Sequence, residues 1–183
     1  MDWCDFFKNI LPTYIPTIIT GIVAILGSVL LYHTATKERQ MKKIEKLQNQ
    51  LESFYYPFAL RMKQNTELRN IFGKTHPDNY RVLIELLKGV KFKDNDKILL
   101  DEIKNNDDFL NKLILNNTAI VSSELSEDLA LLSSHYTLFI LACDEKLSNE
   151  PERFEHHVHP NDVIEKIEGK IREIENEIRR LNK

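Results

Sequence analysis

Arg61, Arg69 and Arg81 are the side chains in this sequence best suited to hold an anion. A guanidinium is a planar fork that matches phosphate oxygens two at a time. Arg61 and Arg69 lie eight residues apart in a segment that reads as helix. At ~100° per residue they are about 80° apart around the axis and can lean to one side. Arg81 follows "HPDN", a helix start whose free N–H groups also favour anions. Tyr55, Tyr56 and Tyr80 supply flat rings on which bases could stack. This set predicts a phosphate-bearing ligand. The competing expectation is that the same cations pair with acidic groups of the chain. Residues 37–93 carry 13 basic and 6 acidic groups, and residues 94–152 carry 4 and 13. The whole chain has a net charge of −3, which argues against general nucleic-acid binding.

The densest set of metal-type ligands is "EHHVHP", with His156, His157 and His159. No Cys, His or Asp partner follows at a known spacing, so a solvated loop without metal is expected. Cys4 and Cys143 are isolated, which excludes a disulfide framework and a CxxC knuckle. There is no Gly-rich phosphate loop, no GxSxG and no HExxH, and no cofactor is expected.

The elements that position these residues are helical. From Val90 to Glu150 there is neither Gly nor Pro, and no run alternates strand-fashion, so the fold class is all-α. Between Lys8 and Lys37 no residue carries a formal charge, and an apolar core runs from about Ile15 to Tyr32. A membrane span needs roughly 20 such residues. Lys37, Arg39, Lys42, Lys43 and Lys46 follow it, which places the N-terminus outside and the remainder in the cytoplasm. The expected organisation is a tail and span over 1–36, a basic helical stalk over 37–56, and a cytosolic helical domain over 57–183.

Within the span, Thr17, Gly21, Ala24 and Ser28 form a small-residue face suited to self-association. In the stalk Ile44, Leu47, Leu51, Phe54 and Phe58 repeat at 3 and 4. Pro57 predicts a kink or stop near Tyr56. Beyond it we expect helices over about 57–72, from Val82 to Gly89, over 95–104 and 107–121, a long one capped by Ser122 or Ser123, and a last one over 161–182. The last carries Ile164, Ile167, Ile171, Ile174, Ile178 and Leu181 at 3, 4, 3, 4, 3. Isoleucine at both seam positions suits three or four strands, although packing on its own body is favoured for so short a seam.

"RNIFGKTH", Arg69 to His76, resembles the R-x(4–6)-H motif of the HEPN family of all-helical ribonucleases. The resemblance implies acid–base work by His76 and phosphate stabilisation by Arg69 at a dimer interface, and supplies the alternative function of a membrane-anchored ribonuclease. Gly73 and Pro77 depart from it by interrupting the helix that should carry His76. A plain membrane tether for a partner protein is a third reading.

The whole layout, with its "LESFYYP" junction at Leu51–Pro57, resembles small bacterial membrane effectors of antiviral defence. Within that group it is most similar to CRISPR-associated membrane effectors that sense cyclic oligoadenylates. The resemblance implies a non-enzymatic inner-membrane protein that assembles as a homo-oligomer, binds the messenger in its cytosolic domain and disturbs the membrane. It carries no family site residues over to this chain.

Overall fold

The computed structural model describes residues 11–77, 80–147, 150–155 and 162–183, with the backbone alone at 11–16 and 18. Among them every regular element is helical. The chain divides between Lys46 and Leu47 into two units.

The first unit holds most of helix α1, Leu11–Gln50. One run of it is long and apolar enough to cross a membrane. Ile25, Leu30 and Leu31 are each 65% exposed or more, so none of them is a core residue of a soluble fold. Thr17, Gly21, Ala24 and Ser28 are likewise exposed, and a Cβ built on Gly21 would meet nothing within 4 Å. Ser28 and Thr34 return their hydroxyls to the carbonyls of Ala24 and Leu30, at 2.8 and 2.9 Å, which satisfies them without water.

The second unit opens with the C-terminal turn of α1 and a π-helical turn, Leu51–Tyr55, which leads into α2, Tyr56–Gly73. Of the kink or stop expected near Tyr56, the stop does not occur. Gln50, Tyr55 and Tyr56 all keep right-handed helical angles. In regular α geometry the Pro57 ring would press on the Ser53 carbonyl and leave it without a donor. The chain widens one turn instead, and the Tyr56 N–H donates to the Leu51 carbonyl five residues back. The wide turn also brings Leu51, Phe54 and Tyr55 into the core of the second unit.

Helices α3 (Val82–Leu87), α4 (Asp94–Asn116), α5 (Ser126–Cys143) and α6 (Val163–Leu181) complete this unit. Both α2 and α5 pack along α4. Short 3₁₀ turns at Ser123–Leu125 and Pro151–Phe154 punctuate the connections. Neither serine suggested as a cap bonds to the start of α5 through its side chain. The Ser122 hydroxyl donates to Glu124 at 3.4 Å instead.

The core has two apolar parts with a polar layer between them. The first joins Phe54, Phe58 and Met62 to Leu110, Ile114, Leu129, Leu132 and the α6 residues Val163, Ile167 and Ile174. The second joins Phe72, Leu83, Leu87, Leu100, Ile103, Phe139 and Ala142. Asn65 on α2 and Asn106 with Asp107 on α4 sit between the two parts in sequence, and His135 is a further buried polar residue on α5. The isoleucine seam of α6 belongs to the first part: Ile167 and Ile174 are buried there, and Ile164, Ile171 and Ile178 pack against it. It is therefore an internal seam rather than a free coiled-coil face.

Two expected helices, 95–104 and 107–121, are one. The "KNNDD" run at 104–108 looks like a break because Asn and Asp compete locally for backbone groups. Here Asn106 and Asp107 have better partners across the helix interface, and α4 continues through them.

A candidate anion site on helix α2

Arg61, Asn65 and Arg69 are spaced at i, i+4 and i+8 on α2, so one helical face presents all three. That face meets Asn106 and Asp107 of α4. The Arg61 Nη1 donates to Asn106 Oδ1 at 2.9 Å and to Gln64 Oε1 at 3.2 Å. The Arg69 Nη2 donates to Asp107 Oδ2 at 2.7 Å. The Asn65 Nδ2 donates to the other carboxylate oxygen at 2.5 Å. Each guanidinium also lies over an aromatic ring: Arg61 is 4.8 Å from the Phe109 centroid, and Arg69 is 5.5 Å from that of Phe139.

The two arginines differ in charge balance. Arg69 is compensated by a carboxylate, whereas the hydrogen bonds of Arg61 go to neutral amides. Asp107 is fully buried, and burial pushes its carboxyl up to about 6 against the opposing pull of Arg69 and Asn65. Nearby, the Tyr136 hydroxyl donates to Met62 Sδ at 2.8 Å, and burial drives its ionisation well above the ordinary phenol range. Three buried polar atoms around Asp107 make no hydrogen bond: Asn65 Oδ1, Arg69 Nε and Asn106 Nδ2. Two are donors and one is an acceptor. A phosphate beside a hydroxyl offers the complementary pattern.

The other residues expected at the site are placed differently. Arg81 donates to the backbone carbonyl of Glu155. Tyr55 is buried edge-on to Phe54, and its hydroxyl accepts from the Ser122 N–H at 3.3 Å. It has no open ring face on which a base could stack. Burial raises its pKa, an effect that the Ser122 hydrogen bond opposes. Tyr56 is exposed and donates to Glu175 Oε1 at 2.9 Å, which raises its pKa.

Tyr80 stacks on His76 with ring centroids 4.2 Å apart and planes 12° apart, and Phe72 covers His76 at 4.5 Å. His76 lies in the turn after α2, as Gly73 and Pro77 foretold. Its Nε2 is 3.3 Å from Asp96 Oδ2, but off the direction in which a ring N–H donates. Arg69 and His76 are thus held by different partners, the first by Asp107 and the second in an aromatic stack. His156, His157 and His159 lie outside the described residues. No cluster of three metal-type ligands occurs among the described ones.

Asn65, Asn106 and Asp107 were missed in the sequence. A signal was there: Leu99, Ile103, Asn106, Leu110 and Ile114 keep a core spacing of 4, 3, 4, 4, so position 106 is polar in an apolar register. A separate cavity of about 440 Å³ is lined by Leu86, Val90, Phe92, Leu100, Cys143 and their neighbours, and holds none of the expected ligand residues. Burial drives the Cys143 thiol up to about 12, so it is not a nucleophile at neutral pH. Compared with protein-family models, with curated proteins and with solved structures, the chain matches none.

Proposed function

We propose that this chain is a single-pass inner-membrane sensor-effector whose helical second unit binds a phosphate-bearing anionic messenger. The observation that carries the reading is the pair of aromatic-backed guanidiniums on one face of α2, one of them with no carboxylate partner among the described residues, beside buried donors that find no acceptor there. Cyclic oligoadenylate is the class named by the resemblance to CRISPR-associated membrane effectors. The span supplies the effector: an exposed small-residue face on α1 suits close helix packing in lipid, and three or four chains assembled through it would disturb the bilayer. The Ile seam of α6 is engaged internally, so the span is the better self-association element.

The orientation follows from the basic residues after the apolar run, and a reporter fused after Lys183 should be active only in the cytoplasm. Activity on the outer face would reverse the topology and exclude a cytosolic messenger. For the ligand, calorimetry on the full chain in detergent with cyclic tri-, tetra- and hexa-adenylate should give at least one Kd below ~10 μM. Arg61→Ala should weaken it at least tenfold, because that cation is held by neutral groups alone. If none of the three binds, the messenger reading fails.

A further inference from the structure

Arg69 already holds an anion, and that anion belongs to the protein. Asp107 is fully buried, reaches Arg69 at 2.7 Å, and is kept in place by Asn65 at 2.5 Å. A ligand phosphate aimed at Arg69 must therefore compete with a carboxylate that is positioned in advance. The atoms needed to receive it are also present. Asn106 is buried, its Oδ1 accepts from Arg61, and its Nδ2 therefore faces away with no acceptor. Arg69 Nε is in the same condition. The Arg69 side chain is 31% exposed, so it can swing outward where Asp107 cannot.

We infer that Asp107 is a built-in competitor for Arg69 and that Asn106 is a ligand donor, so that a phosphodiester binds when Arg69 leaves Asp107. The inference rests on the reading of this face as an anion site, and adds to it a control residue and a further ligand contact. Asn65 Oδ1, the one unpaired acceptor of the group, selects a ligand that also offers a donor, such as a sugar hydroxyl beside the phosphate.

Neutralising Asp107 frees Arg69, so affinity should rise on acidification. The groups facing Asp107 bear this out chemically. From α2 they are the Arg69 guanidinium, 2.7 Å away, and the Asn65 amide. From α5 they are Tyr136 and Cys143, both kept neutral by burial, with His135 buried on the same helix. Burial raises the carboxyl itself to about 6, inside the range in question.

The test uses the full chain in detergent and the same three cyclic oligoadenylates, whose phosphodiesters stay ionised at both pH values. The wild type should bind at least tenfold more tightly at pH 5.5 than at pH 7.5. Asp107→Asn should bind tightly at both, with the pH dependence gone. Asn106→Ala should lose at least tenfold at pH 5.5. Wild-type affinity that does not change with pH overturns the control role, and so does a pH dependence that survives in Asp107→Asn, which would assign it to a histidine. Unchanged binding by Asn106→Ala removes that residue from the site. These results leave the anion reading standing. No binding by wild type or Asp107→Asn at either pH overturns the reading itself. Should Asp107→Asn fail to fold, a wild-type affinity unchanged by pH still overturns the control role, and Asn106→Ala still tests the ligand contact.

Discussion

Arg69→Ala should destabilise the second unit by roughly 2–4 kcal/mol at pH 7.5 and by much less at pH 5. The guanidinium offsets the buried Asp107 carboxylate at 2.7 Å. Removing one partner of a buried pair leaves the other charged and desolvated. The figure sits below the usual range for such a loss because Arg69 is about one-third exposed and its charge is screened by water. The sign of the pH effect follows from the direction of the Asp107 shift. Its carboxyl is raised from 3.8 to about 6 in the folded protein, so the folded state binds the proton more tightly than the unfolded chain. Its contribution is most favourable below about pH 4 and is lost as pH rises through about 6. Without Arg69 the carboxyl climbs further and the loss extends to higher pH. Asp144, Asp162 and Glu168 are shifted the other way by lysine partners, but they are unchanged in the variant and cancel in the comparison. Thermal melts of both proteins at the two pH values are the measurement. Equal destabilisation at both would mean that Asp107 is not the group left unpaired.

Phe58→Ala should cost about 3–5 kcal/mol, while Leu60→Ala, two residues along the same helix, should change stability by no more than about 0.5 kcal/mol. Phe58 is fully buried and lies 5.3 Å from the Phe54 ring, within the first part of the core. Leu60 is 73% exposed. Truncating Phe58 removes its transfer free energy and leaves a cavity that a rigid junction between the π turn, α4 and α6 cannot close. Natural domains are stable by only about 5–15 kcal/mol, so this one change removes a large share. It should lower the melting temperature of the second unit by roughly 10 °C. Similar losses in both variants would contradict the placement of α2.

That pair also marks how far the sequence could be read. Helix α2 contains Phe58, Leu60, Met62, Leu68, Ile71 and Phe72, which do not form one clean stripe. The reason is that α2 also presents a polar face inward, Arg61, Asn65 and Arg69, toward α4. Periodicity assumes that inward means apolar, and the assumption fails where a buried polar network forms. The same failure split α4 at Asn105 and Asn106. The candidate site was half legible: Arg61 and Arg69 were singled out by type and spacing, but their partners on α4 were hidden because nothing local links residue 69 to residue 107.

What the sequence determined by itself is the all-helical class, the apolar run in α1, and the apolar seam of α6. Each of these rests on a repeat of a few residues along one segment, and local geometry converts it directly into a face. Tertiary structure decided the rest. Pro57 widens a turn rather than ending the helix, because burial of Phe54 and Tyr55 favours keeping the chain helical through it. The isoleucines of α6 turn inward, because the second unit offers them a core. Arg81 and Tyr55 are engaged within the chain, the first by the Glu155 carbonyl and the second by the Ser122 N–H. These outcomes depend on contacts between residues far apart in the chain, 67 and 74 positions for Tyr55 and Arg81, and such contacts exist only once the chain has packed.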